Sequence, residues 1–168
     1  MWLLFLIAGL LSGSTPDLPE TRWVRGSSDT LTVLAGYQVV GYRDAGTGGM
    51  DWTLHGDGWA GGWDHHQLWM VKAPMSARTT LPVASEAVAF MMDGDRNDGF
   101  ATFLVDGQVI GTFDMYQRSL QSLIVEGLPM RRHTLEVRME GTKRRYARAD
   151  HIAMYGGSAL IREVYAAK

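Results

Sequence analysis

The sequence predicts an all-β chain folded as an antiparallel two-sheet β-sandwich. Short apolar runs separated by glycine and aspartate recur from Thr30 onward, at the spacing of strands joined by tight connections. HTLEVRME at 133–140 alternates Leu135, Val137 and Met139 with Thr134, Glu136 and Arg138, as a strand with one buried and one wet face requires. Asp106 and Gly107 stand between two further apolar runs, where an Asp-Gly pair accepts the positive φ of a type I′ hairpin turn.

The remaining elements follow the same logic. TLTVL at 30–34, YQVVGYR at 37–43, QLWMVK at 67–72, AVAFMMD at 87–93 and FATFLVD at 100–106 are expected as strands, the last paired with VIGTF through the Asp106–Gly107 turn. SLQSLIVE at 119–126 is the one competitor for a helix; it is too short to stand alone and is expected to be extended. ADHIAMYGG and SALIREVY supply one or two closing strands, with Gly156 and Gly157 as the turn. About nine to eleven strands in one domain make a sandwich.

A chain of 168 residues, 46% hydrophobic and 20% charged, is long enough for one domain with a real core and too short for two. The apolar run in MWLLFLIAGLLSGSTP falls short of the roughly 20 residues that cross a bilayer. It is expected to be a secretory signal peptide over 1–14, although no Lys or Arg precedes it; a buried amphiphilic N-terminal strand or a misassigned start codon is the other reading. Residues 15–26 are expected as a linker and 27–168 as the sandwich, in a secreted or cell-surface protein with no transmembrane segment in its mature chain. There is no cysteine, so any staple must be packing or metal. A net charge of -2, with basic residues scattered apart from Lys143, Arg144 and Arg145, argues against nucleic acid as a partner.

In order, the chain presents WTLHGDGWAGGW, HHQLWMV, AVAFMMD, DGDRNDGFATFLVDGQVIGTFDMY and RHTLEVRMEGTKRRYARADHIAMY. Over roughly 51–155 this series resembles the jelly-roll β-sandwich of the galactose-binding-like superfamily, in the branch of carbohydrate-binding modules appended to secreted glycoside hydrolases and cell-surface proteins. The resemblance implies a galactose-binding-domain-like jelly roll and a glycan ligand. The sequence departs from it at the basic KRRYAR, where related modules are usually rich in Ser and Gly.

Trp52, Trp59, Trp63 and Trp69 cluster within a short stretch, and sugar rings stack their C–H faces on indole while nearby polar groups bind the hydroxyls. Trp59 and Trp63 lie among Gly56, Gly58, Gly61 and Gly62, so they belong to a loop and either cap the core or meet a ligand; Trp69 lies in an alternating strand and is assigned to the core. The candidate glycan contacts are Trp59, Trp63, His65, His66, Tyr116 and Arg132. Adjacent strand residues face opposite ways, so His65 and His66 do not readily share a zinc ion.

DGDRNDGF at 93–100 has two readings. Asp93, Asp95 and Asn97 match the first three ligand positions of an EF-hand, but Asp98 stands where glycine should and Leu104 where the bidentate glutamate should. A looser calcium loop from Asp93, Asp95, Asn97 and Asp98, joined by Asp150, remains one reading; a tight polar turn is the other. No nucleophile-elbow, zincin or P-loop pattern occurs, and no cofactor other than calcium is suggested. The function expected is a non-catalytic module that binds a glycan or polysaccharide. The alternatives are an adhesive surface protein that self-associates through the sandwich, and a small glycan-active hydrolase.

Overall fold

The computed structural model describes residues 19–26, 36–46, 52–58, 60–61 and 67–162. Ten strands and no helix occur among them: β1 (Glu20–Arg25), β2 (Tyr37–Asp44), β3 (Thr53–His55), β4 (Ala60–Gly61), β5 (Leu68–Met70), β6 (Met75–Asp93), β7 (Phe100–Val105), β8 (Gln108–Asp114), β9 (Gln121–Met139) and β10 (Ile152–Arg162). All strand pairs are antiparallel.

Two strands of 19 residues each, β6 and β9, run side by side and organise the sandwich. The first part of β6 pairs with the last part of β9, from Met75↔Met139 to Thr80↔Thr134; this layer continues to β3 on one side and to β7 and β8 on the other. The second part of β6 pairs with the first part of β9, from Ala87↔Glu126 to Met92↔Gln121, and this layer adds β1, β10, β2, β5 and β4. The register breaks between Thr80 and Ala84 and between Ser85 and Ala87, so both strands bend from one layer into the other. Pro82 and Pro129 fall in these bends, where a residue without an N–H takes no place in a ladder. Gly127, at φ +77°, turns β9.

The core lies between the layers. Phe103 is fully buried, with ring centroids 5.1 Å from Phe90, 6.0 Å from Trp23 and 5.8 Å from Phe113, all packed edge to face. Leu135, Val137 and Met139 reach the same cluster from β9, while Arg138 on the alternate face is exposed. The second layer is buried on both faces where β6, β9 and β10 meet. Val88 and Phe90 face the main core, whereas Ala87, Ala89, Ile124 and Leu160 form a second cluster with Tyr37.

Several expectations need correcting. The segment read as a linker carries β1, which pairs with β9 from Glu20↔Glu126 to Arg25↔Gln121 and sends Trp23 against the core. Gly156 and Gly157 make no turn, because β10 runs through them as one strand. They are sites of close approach: a Cβ on Gly156 would meet the Arg43 carbonyl at 2.1 Å, and one on Gly157 would meet Leu135 Cδ1 at 2.5 Å. The strand expected at 87–93 starts far earlier, at Met75. The Asp106–Gly107 turn is as expected, with φ of 52° and 82°. The strand expected at 30–34 and the leader lie outside the described residues.

Candidate functional site

The stretch 93–100 leaves the end of β6 and enters β7 at one end of the sandwich, wedged between two other connections. On one side, the Met115 N–H donates to the Gly99 carbonyl and the Gln117 N–H to the Asp95 carbonyl, both at 2.9 Å. On the other, the His151 N–H donates to the Asn97 carbonyl at 2.9 Å, the Gly99 N–H to the His151 carbonyl at 3.0 Å, and the Arg148 N–H to the Arg96 carbonyl at 2.7 Å. This crowding explains the glycines. A Cβ on Gly94 would lie 2.2 Å from the Met115 carbonyl oxygen, and one on Gly99 would lie 2.2 Å from that of Thr142. Neither glycine is needed for a left-handed φ; both are needed for the approach of backbone to backbone.

The acidic side chains mostly bind the turn itself. Asp95 accepts from the Asn97 N–H and side-chain amide, Asp98 accepts from the Asp95 N–H, and one Asp93 oxygen accepts from the Gly94 N–H. Burial pushes the Asp98 carboxyl up to about 7 despite the hydrogen bond from Asp95, and the charges of Asp95 and Asp93 push the same way. Among the described residues, no three His, Asp or Glu side chains form a group able to hold a metal ion. Asp150 packs its backbone near Gly99 and is not among the residues around the pocket described next; its neighbour His151 is.

A pocket of about 30 Å³ opens beside this turn, walled by Asp93, Asp95, Asn97 and Asp98 with Gln67, Trp69 and His151. The Trp69 indole N–H donates to Gln67 Oε1 at 2.8 Å, and the Gln67 amide donates to Asp93 Oδ2 at 2.9 Å. This relay fixes the indole at the rim. Trp69 is half-buried and points away from its buried neighbours Leu68 and Met70, so it lines a site where the sequence reading assigned it to the core. The volume is that of a water molecule, which suits one hydroxyl and not a whole sugar ring.

The other predicted contacts separate. Trp59, Trp63, His65 and His66 lie outside the described residues, but the strands that flank them do not: Gly61 pairs with Trp69, and Gln67 is itself a pocket wall. Tyr116 is half-buried in the neighbouring connection, its N–H bonded to Asp114 and its ring 5.8 Å from the Arg144 guanidinium. Arg132 sits at the bend, opposite Ala84, with its Nε–H donated to the Leu81 carbonyl. From Ala84 to Asp93 is about 30 Å along β6, so Arg132 does not share a site with Tyr116 or Trp69. Gln67 and His151 were missed in the sequence because only the β5–β10 register and the Asp98–His151 bridge bring them to the acidic turn.

A larger groove, of about 570 Å³, lies at the bend end. There the Tyr37 hydroxyl bonds Glu126, which also accepts from Arg22 and lies 3.5 Å from Arg162. Although partial burial works the other way, these hydrogen bonds and charges hold the Glu126 carboxyl below its ordinary value. Tyr37, Glu126, Arg22 and Arg162 bond or pair with one another there, whereas the smaller pocket sets the Trp69 indole beside carboxylates bonded to Gln67 and to the turn.

No family model matches the sequence, and no curated protein matches it. Among solved structures, a two-domain esterase (CEX) active on acetylated mannans, co-crystallized with mannopentaose, aligns over 74% of this chain and 37% of its own, at TM-score 0.52 and 13% identity. The likeness is one of fold. A family two carbohydrate esterase from Clostridium thermocellum, in complex with cellohexaose, covers 65% of this chain and 33% of its own at TM-score 0.47 and 14% identity. The corresponding figures for one from Cellvibrio japonicus are 84%, 34%, 0.45 and 13%. The chain thus matches about a third of the length of these enzymes. Among the described residues, no helix is long and apolar enough to cross a membrane.

Proposed function

We propose that this chain is a non-catalytic, glycan-binding β-sandwich whose site lies at the acidic-turn end. The observation that supports this is the relay from Trp69 through Gln67 to Asp93 at the rim of a hydroxyl-sized pocket. In this reading one hydroxyl enters the pocket and donates to Asp93 or Asp95, while the ring lies across the Trp69 indole. The fold shared with a domain of a two-domain esterase active on acetylated mannans is consistent with a module that works beside a catalytic unit.

Affinity electrophoresis in gels containing acetylated galactoglucomannan, galactan or xylan tests this. The wild type should be retarded by at least one of them, and Trp69→Ala should migrate freely while keeping its melting temperature within about 2 °C, since a half-exposed side chain contributes little to the core. Unretarded wild type in every glycan gel, with a concentration-dependent dimer on size exclusion, would favour the adhesive, self-associating alternative.

A further inference from the structure

The glycan site proposed above has a basic border. Its last connection, 140–151, is tied backbone to backbone to the acidic turn, with the Arg148 N–H donating to the Arg96 carbonyl at 2.7 Å. Arg96 stands between Asp95 and Asn97, both of which wall the pocket. Arg96, Lys143, Arg145 and Arg148 are all exposed, and none has a carboxylate partner among the described residues. Arg144 differs, being paired to Asp114. Arg145 lies 5.9 Å from the ring of Tyr146, which is 76% exposed. This part of the chain thus carries four cations without carboxylate partners, Lys143 bonded to the Arg148 carbonyl and Arg145 beside the exposed Tyr146 ring, in connections tied to the acidic turn.

We propose that the glycan bound here is anionic, its carboxylate or sulfate groups held by Arg96 and Arg148 with Lys143 and Arg145 alongside. This rests on the glycan reading of the pocket and names the substrate class. The division of labour follows from charge. Asp93 and Asp95 repel an anion from the pocket and accept from a hydroxyl, so the acid group must project to the basic border, where a guanidinium fork matches its two oxygens. A polymer with one anion per disaccharide satisfies both surfaces. A nucleic acid, with a phosphate on every unit, would set charges against Asp93 and Asp95, and the chain's net charge of -2 adds no attraction.

The test is affinity electrophoresis of the full chain in gels containing hyaluronate (carboxylate), chondroitin sulfate (sulfate and carboxylate) or neutral galactomannan, with poly(dT) in a parallel gel. The expected result is retardation by one or both anionic glycans beyond that by galactomannan. The Arg96→Gln, Arg148→Gln double variant should then bind the anionic glycan at least about tenfold more weakly, with an unchanged melting temperature. Should that variant fold poorly, Arg145→Gln gives the same comparison at a side chain that lies against Tyr146 and takes no part in the Arg96–Arg148 backbone contact. Retention by galactomannan alone, lost in Trp69→Ala and untouched by the arginine variants, would overturn the anionic assignment and leave the glycan reading standing. No retention in any glycan gel would remove that reading and this inference with it. Retention by poly(dT) alone would overturn both.

Discussion

His133 Nδ1 lies 2.8 Å from the carboxylate of Asp106 at the tip of the β7–β8 hairpin, while its Nε2 faces the carbonyls of Ser85 at 2.9 Å and Pro129 at 3.0 Å. The ring is fully buried and has acceptors on both nitrogens, so it ties the hairpin to the bends of β6 and β9. Despite its own partial burial, Asp106 is held below its ordinary value by bonds from the Thr134 N–H and His133 and by the charge of Arg131. Its contribution to stability is therefore present above the unfolded carboxylate value and is lost as pH falls through the folded one. His133→Ala would strand buried acceptors and cost about 3 kcal/mol, measured by urea denaturation at neutral pH. Because the bend is remote from the acidic turn, glycan retention by the folded variant should be unchanged.

The two kinds of glycine make contrasting predictions. Gly99→Ala puts a Cβ 2.2 Å from the Thr142 carbonyl and 2.9 Å from Asp150 Cα, so backbone must move, at a cost of about 3 kcal/mol or more. Gly107→Ala meets nothing within 4 Å and suffers only its positive φ, at about 1 kcal/mol. Thermal melts of the two variants side by side check the order.

Asp98 gives a pH dependence of the opposite sign from Asp106. Burial raises its folded value to about 7, above the unfolded value, so its favourable contribution is complete below about pH 4 and disappears as pH rises through 7. Asp98→Asn keeps an oxygen for the Asp95 N–H and removes the titration. The stability difference, wild type minus Asp98→Asn, should fall between pH 4 and pH 8 when followed by urea denaturation; a flat difference would show that the carboxyl is not buried as described.

Calcium offers a separate check on the same turn. With Asp93, Asp95 and Asp98 occupied by Gln67 and by the turn's own N–H and amide groups, added calcium should leave the melting temperature within about 1 °C. A midpoint that climbs with calcium concentration would favour the calcium-loop reading, with those hydrogen bonds exchanged for metal ligation.

What the sequence made legible was local. The alternation of Leu135, Val137 and Met139 and the Asp106–Gly107 turn could be read because each is decided by neighbours in the chain. The 19-residue span of β6 could not, since Pro82 and the polar residues before it look like a connection until pairing with β9 places them at a bend. Glycine misled in the same way: Gly156 and Gly157 signalled a turn, whereas contacts from Arg43 and Leu135 are what require them. At the site, the acidic turn was visible as a turn, but Gln67, Trp69 and His151 become its neighbours only through strand register.

The most direct test of the proposed glycan site is the Trp69 indole N–H resonance in a proton–nitrogen correlation spectrum during titration with an oligosaccharide selected by gel retardation. That N–H is held by Gln67 Oε1 at 2.8 Å, so a sugar seated on the indole and bonded to Asp93 must disturb it. The account predicts a saturable shift of this resonance together with the backbone signals of Asp95 and Asn97, while Glu126 and Arg132 at the bend stay still. Shifts confined to the groove around Tyr37 and Glu126, with the Trp69 signal unmoved, would contradict it.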